Sequence, residues 1–150
     1  MASYGKMIFA ALFGLLYLVF GIAMIASAAI PALAELTGLC RIPADPAGGF
    51  VLCVIGAVFV FACRELAHNS ADGPAFLIIG MVLSVVFGMV ALISLGAQGI
   101  EVMIFGEGET WDPALLVVPM LYLAIGAVAG LPVWGRAFLA DLAGPERWLA

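Results

Sequence analysis

Charged side chains are excluded from four long apolar stretches of this chain, and that exclusion constrains the fold more than any other feature. The stretches cover residues 7–30, 46–63, 75–96 and 114–133, and none contains Asp, Glu, Lys, Arg or His. A helix of roughly 20 apolar residues crosses the hydrocarbon layer of a bilayer, which is about 30 Å thick. The sequence therefore predicts an all-α integral membrane protein, with four transmembrane helices forming a single domain over residues 1–150.

The composition agrees with a membrane location. Apolar residues make up 66 % of the chain, whereas roughly half is typical of soluble domains. Five residues are Lys or Arg and ten are Asp or Glu, so the chain lacks the basic surface that nucleic-acid binding requires. The Ala- and Gly-rich, acidic composition favours a prokaryotic plasma membrane.

The distribution of basic residues predicts the orientation. With four spans, Lys6, Arg64, Arg136 and Arg147 share one side of the membrane, and Arg41 lies alone on the other. Basic residues close to span ends favour the cytoplasmic side. Both termini are therefore predicted to be cytoplasmic.

The segment after the fourth stretch, residues 134–150, predicts a short helix on the membrane surface. It begins with Trp134, and indole rings prefer the headgroup level of a bilayer. Phe138 and Leu139 are set against Arg136 and Asp141, which is the pattern of an interfacial amphipathic helix.

A comparison of the chain with itself indicates an internal repeat. Shifted by 67 residues, the chain shows twelve identical pairs between residues 9–62 and 76–129, including Phe20-Gly21 with Phe87-Gly88 and Asp45-Pro46-Ala47 with Asp112-Pro113-Ala114. Duplication of a helical hairpin is one interpretation, and chance similarity between apolar segments is the other. A duplication would give two tandem hairpins of the same orientation, related by an axis along the membrane normal.

Three aspartates are predicted to cap helices. Asp45 and Asp112 are each followed directly by Pro, and Asp72 is followed by Gly73 and Pro74. An Asp side chain accepts a hydrogen bond from a free amide at a helix start, and Pro suits the first helical position. A cation site at these aspartates is the alternative interpretation.

Small residues recur within the stretches at spacings that let helices approach closely. In membranes, such residues at four-residue spacing form flat faces on which another helix packs. These faces serve either packing within the four-helix bundle or contact with a partner subunit. The residues concerned are Gly14, Gly21, Gly80, Ser84, Gly88, Gly126 and Gly130.

Polar groups are scarce within the apolar stretches. Tyr17, Ser84 and Tyr122 lie near the middles of three of them, and we expect these residues to form a polar cluster at the midplane. Hydrogen bonding between helices is the favoured role, and contact with a small ligand such as a quinone is the alternative. Ion pathways usually place an ionisable group within the spans, and its absence from these stretches argues against a stand-alone ion-coupled transporter.

The sequence contains no recognisable catalytic, cofactor-binding or metal-binding motif. The three cysteines form no C-x-x-C pair, and His68 is the single histidine. Arg64 and His68 fall four residues apart on one helix face, and Arg136 follows the fourth stretch. These three residues are predicted to contact lipid headgroups or a partner.

Together, these features favour a non-enzymatic small membrane subunit that packs against and stabilises a larger membrane protein complex. Such a subunit would need no cofactor, would bind lipid, and would have other membrane subunits as partners. The alternative is a homo-oligomeric small-molecule carrier or channel without an intramembrane charge. A third possibility is a lipid- or quinone-handling enzyme that a partner completes.

Overall fold

The computed structural model describes residues 2–39, 42–70, 72–106 and 118–142. Its regular elements are five helices, α1 (Ala2–Ala29), α2 (Pro31–Leu39), α3 (Pro46–Ala67), α4 (Gly73–Phe105) and α5 (Pro119–Leu142). Three of them are long and apolar enough to cross a membrane, over Tyr4–Ala29, Pro46–Ala67 and Gly73–Ile104. The predicted stretches 7–30, 46–63 and 75–96 therefore correspond to α1, α3 and α4.

The fourth predicted stretch corresponds to α5, which begins later than expected. Its first residue is Pro119, where the missing N–H removes no helical hydrogen bond. Residues 114–117, and the predicted start at Asp112, lie outside the described residues. The candidate spans among the described residues do not include α5, so a fourth membrane span stays a prediction.

The predicted surface helix is continuous with α5. The helix runs through Pro132 and Trp134 to Leu142 without a break. Membrane helices tolerate an internal Pro when neighbouring groups satisfy the freed backbone carbonyl. The expectation of a separate helix beginning at Trp134 is therefore corrected for residues 134–142, while residues 143–150 lie outside the described part.

Two further boundaries differ from expectation. The sequence did not predict α2, whose first residue is Pro31 and whose Thr37 hydroxyl donates a 2.9 Å hydrogen bond to the Leu33 carbonyl.

α4 continues nine residues beyond the predicted end at Gly96. Residues 97–105 contain no Pro, so nothing removes a backbone donor there. The end of an apolar run marks the edge of a hydrophobic layer and need not end a helix.

The long helices pack as two antiparallel hairpins, α1 with α3 and α4 with α5, and α3 also packs along α4. The turn between α3 and α4 places Asn69 at φ 53°, a left-handed conformation that Asn adopts more readily than most residues. The largest fully buried side chains include Tyr17, Met24, Leu52, Ile55, Phe59, Leu77 and Met81. The core of the bundle is therefore drawn from both hairpins.

The seam between α1 and α5 differs from the seam between α3 and α4. At the latter, Gly80 packs on the Phe59 ring and Phe61 contacts Phe76, with ring centroids 5.0 Å apart. α1 and α5 meet mainly through aromatic side chains, as Phe9 contacts Trp134 and Phe20 contacts Tyr122. Aromatic rings thus occur in both seams, but the helix backbones approach each other more extensively between α3 and α4 than between α1 and α5.

Candidate functional site

The centre of the bundle holds one polar contact between the hairpins. The hydroxyls of Tyr17 on α1 and Ser84 on α4 share a hydrogen bond, and both side chains are almost fully buried. Within the described residues no buried side-chain N or O atom lacks a partner. The pair thus satisfies two hydroxyls that would be costly to leave unpaired in an apolar interior.

Aromatic rings pack beside this pair, toward the end of the bundle that holds the start of α1 and the end of α5. The Tyr17 ring stacks on Phe59 with centroids 5.8 Å apart, and Phe59 also lies 6.0 Å from Phe13. Phe9 continues the cluster, contacting Phe13 at 4.2 Å and Trp134 at 4.7 Å. Aromatic pairs at these distances contribute packing energy beyond the area that they bury. The Tyr17–Ser84 pair thus lies at one end of a ring cluster to which α1, α3 and α5 contribute.

Tyr122, the third residue of the predicted midplane cluster, occupies a different setting. It is 40 % exposed, and its ring lies edge-on to Phe20 with centroids 5.6 Å apart. The structure therefore brings Tyr17 and Ser84 together in the core and places Tyr122 at the outer edge of the α1–α5 seam.

The small residues predicted to form packing faces all lie against other helices of the same chain. A Cβ on Gly21 would approach the Gly49 carbonyl oxygen and the Cys53 sulfur to 2.7 Å each. Gly88 packs on Ala124 in the same way within the second hairpin. The remaining members face internal neighbours as well: Gly14 faces Val60, Gly80 faces Phe59, Ser84 faces Tyr17, Gly126 faces Phe13, and Gly130 faces Met81 and Phe9. A partner surface must therefore be sought elsewhere on the molecule.

The contacts between hairpins follow the 67-residue offset. Phe59 of the first hairpin packs on Gly80 of the second, and Phe13 of the first packs on Gly126 of the second. Residues 13 and 80 are equivalent under the offset, as are residues 59 and 126. An interface in which residue i contacts j′ while j contacts i′ is characteristic of a two-fold relation. This reciprocity supports the predicted hairpin duplication.

The sequence did not identify these phenylalanines, although a signal was present. The offset pairs each of them with a glycine, Phe13 with Gly80 and Phe59 with Gly126. A large residue in one repeat facing a small one in the other is what close packing across an approximate two-fold axis requires. Identity scoring overlooks such complementary pairs because the two residues differ.

The predicted caps have different geometries. The Asp45 carboxylate accepts a 3.0 Å hydrogen bond from the Ala47 amide at the start of α3. Asp72 lies at the start of α4 in a helical conformation, and its side chain makes no capping hydrogen bond. Asp112 lies outside the described residues. Asp45 is therefore a side-chain cap, whereas Asp72 contributes its backbone carbonyl, which accepts from Ala75 and Phe76.

The described basic residues collect at one end of the bundle, while Arg41 and Arg147 lie outside the described residues. Arg64 and His68 lie at the end of α3, Lys6 near the start of α1, and Arg136 on α5. Arg64, His68 and Arg136 are exposed, and Lys6 is half-buried. We name this end the basic end and the opposite one, which carries α2, the α2 end. Glu65 and Asp72 lie at the same end, and contact of Arg64, His68 and Arg136 with lipid headgroups or a partner stays a prediction.

The described residues offer few groups for metal binding or thiol chemistry. No group of three or more His, Cys, Asp or Glu side chains lies close enough together there to hold a metal ion. Cys53 and Cys63 are free thiols on α3.

Long apolar helices around a buried aromatic core define a helical integral membrane protein. Residues 4–134 match the family model described as the MJ0565 integral membrane domain. Because that match covers most of the chain, the protein belongs to this family, and the predicted membrane location is confirmed. No curated protein and no solved structure matched the chain.

Proposed function

We propose that this protein is a non-catalytic membrane subunit that packs against a larger membrane protein complex through the last third of α4. This helix has 33 residues, which corresponds to about 50 Å, whereas the hydrocarbon layer is about 30 Å thick. A tilt of about 20°, the average for membrane helices, would lengthen the path by only about 2 Å. A substantial part of α4 therefore extends beyond a single span.

The packing register shows the level on α4 at which the described parts of α3 and α5 begin. Phe59 packs on Gly80, and counting 13 residues from this pair to the start of α3 at Pro46 reaches Ile93 on α4. Gly88 packs on Ala124, and counting five residues to the start of α5 at Pro119 reaches Ile93 again. Both neighbouring helices thus begin level with Ile93.

The part of α4 beyond Ile93 is mostly apolar, apart from Ser94, Gln98 and Glu101, and the other described residues leave much of it uncovered. Ile100 is 59 % exposed, Met103 87 % and Ile104 66 %, and nothing lies within 4 Å of a Cβ placed on Gly96. We name residues 94–105 the α4 extension. Its uncovered apolar surface is the single observation that carries the proposal. Because α4 is longer than one span requires, part of this surface lies outside the hydrocarbon layer, where exposed apolar patches commonly mark interaction sites.

The carrier alternative gains no comparable support. Its proposed constriction at Tyr17 and Ser84 consists of two side chains that are hydrogen-bonded to each other and packed against Phe59. A conducting or binding site at this level would require both side chains to separate.

The orientation can be proposed on the same structure. The described charged residues at the α2 end are Glu35, Asp45 and Glu101, all acidic, while Lys6, Arg64 and Arg136 lie at the basic end. We propose that the basic end faces the cytoplasm. In a background in which Cys40, Cys53 and Cys63 are replaced by Ser, labelling of a Cys introduced at Asn69 or at Gly38 with an impermeant maleimide on intact cells tests this, since only Gly38→Cys should react.

The subunit proposal is tested by the mass of the complex extracted in mild detergent from native membranes. We expect a defined hetero-complex. Its amount should fall in the extension variant, Ile100→Ala/Met103→Ala/Ile104→Ala, and should be unchanged in the control variant, Ile79→Ala/Val82→Ala/Val86→Ala. The control residues are also exposed on α4, at 46 %, 46 % and 51 %, but lie at the level of the bundle. A monomer, a homo-oligomer, or a complex that survives the extension variant would each overturn the proposal.

A further inference from the structure

The α4 extension ends well beyond the level at which α5 begins. The last residue of α4 is Phe105, twelve residues past Ile93, which corresponds to about 18 Å along the helix axis. α5 begins at Pro119, and Pro119 lies level with Ile93 in the register that Gly88 and Ala124 define. The chain between the two helices must therefore return by about 18 Å toward the bundle before α5 can start.

The connection that makes this return is short. It comprises residues 107–117, which lie outside the described residues, between Gly106 and Val118. A fully extended chain of this length covers at most about 40 Å, roughly twice the return distance, so there is no room for a further membrane crossing and a return. The four residues that precede Val118, at positions 114–117, are Ala, Leu, Leu and Val. The connection thus supplies apolar side chains at the end that joins α5.

The α4 extension has sides that differ in burial. Leu95, Gly99 and Val102 are half-buried. They follow Gly88 by seven, eleven and fourteen residues, which places them on the helix face that packs on α5. The residues of the extension variant lie on the other sides and are 59 %, 87 % and 66 % exposed. We name Leu95, Gly99 and Val102 the inner face of the α4 extension.

The described parts of α3 and α5 do not explain the burial of Val102. Both helices begin level with Ile93, and Val102 lies nine residues further along α4, about 14 Å beyond their first residues. α2 packs along α1. The connection to α5 must pass the level of Val102, and it leads into the helix that already covers the same face of α4 at Gly88.

We propose that residues 107–117 dock on the inner face of the α4 extension, with the apolar residues 114–117 nearest to α5. The inner face is then covered within the chain, and the exposed sides are the surface that a partner subunit can reach. The inference stands without the subunit role, because it concerns contacts within a single chain.

The test is a disulfide scan of the full chain in native membranes, in a Cys40→Ser/Cys53→Ser/Cys63→Ser background. One Cys is placed on α4, either at Val102 on the inner face or at Ile104 on an exposed side. The second Cys is placed in the connection, in turn at Glu109, Thr110 and Trp111. A disulfide requires Cα atoms roughly 4.4–6.8 Å apart, so its formation on mild oxidation reports direct contact.

We expect Val102→Cys to form an intramolecular disulfide with at least one of these positions and Ile104→Cys with none. Protection of both thiols from a polyethylene-glycol maleimide measures the bond, and a non-reducing gel distinguishes it from a disulfide between two chains. Each comparison shares its second Cys, so a folding defect caused by that change affects both members equally.

Three outcomes would overturn the proposal. Equal crosslinking from Val102→Cys and Ile104→Cys would show a connection that does not rest on one face of α4. Crosslinking from neither would show that it lies away from the helix. A disulfide between Val102→Cys and a Cys at Ala32 or Leu36 would assign the inner face to α2 instead.

Discussion

Tyr17 and Ser84 share a buried hydrogen bond across the bundle centre, and the 67 residues that separate them are the offset at which the chain matches itself. Equivalent positions in two repeats come together only close to the axis that relates the repeats. The pair therefore marks that axis, with Phe59–Gly80 and Phe13–Gly126 as reciprocal contacts around it.

The first prediction concerns the strength of this central pair. Tyr17→Phe removes one hydroxyl and leaves Ser84 buried without its partner, and Ser84→Ala does the reverse. Interhelical hydrogen bonds in membranes contribute about 0.6 kcal/mol on average and up to about 1.7 kcal/mol. We expect a coupling energy in this range from a double-mutant cycle, measured by unfolding in mixed micelles. Strictly additive single effects would contradict a hydrogen bond of that strength.

The second prediction concerns the close approach of α1 and α3 at Gly21. Gly21→Ala would place a methyl group 2.7 Å from the Gly49 carbonyl oxygen and 2.9 Å from the Cys53 backbone nitrogen. Because backbone atoms cannot rotate away, we expect a destabilisation of about 1–3 kcal/mol. Gly96→Ala is the control, since that position is open and Ala favours helix over Gly by up to about 1 kcal/mol. If both variants unfold alike, the helices are not in contact at Gly21.

The third prediction separates the two described aspartate caps. Asp45 accepts a hydrogen bond from the Ala47 amide, so Asp45→Ala should cost about 0.5–2 kcal/mol. Asp72 makes no such bond through its side chain, so Asp72→Ala should have a distinctly smaller effect. Thermal unfolding followed by circular dichroism measures both. A larger loss at Asp72 than at Asp45 would show that the two roles have been assigned the wrong way round.

The sequence predicted the helices of this protein better than their ends or contacts. Exclusion of charge located α1, α3 and α4 because burying an ion in hydrocarbon is costly. The same criterion placed the end of α4 at Gly96, nine residues early, since helix continuation depends on backbone hydrogen bonds and not on hydrophobicity. It also could not decide which apolar face meets another helix, because protein and lipid interiors are similarly apolar.

The residues of the candidate site also differ in how well the sequence predicted them. Tyr17 and Ser84 stood out because polar residues are rare in the apolar stretches, and their contact followed from that rarity. Phe59 did not stand out, since aromatic residues are common in membrane helices, and Trp134 was interpreted as a residue of the membrane interface and not as part of a core cluster. Only three-dimensional packing distinguishes a ring that closes the core from one that faces lipid.

The last prediction tests the reciprocal packing between hairpins. Gly80→Ala would press a methyl group to 3.1 Å from the Phe59 ring, and Phe59→Leu would leave space in the same place. We expect each change alone to destabilise the protein and the double variant to recover part of the loss, with a coupling energy of about 0.5–3 kcal/mol.

The equivalent pair provides the decisive comparison. Gly126→Ala with Phe13→Leu should give a coupling of the same sign, because Phe13 packs on Gly126 as Phe59 packs on Gly80. The crossed combination of Gly80→Ala with Phe13→Leu should show a weaker coupling than either direct pair, because these two residues are linked through Phe59, whose ring centroid lies 6.0 Å from that of Phe13. Coupling between Gly80 and Phe59 without coupling between Gly126 and Phe13 would contradict the two-fold relation between the hairpins. The hairpins would then share an ancestry at most, without sharing an interface geometry.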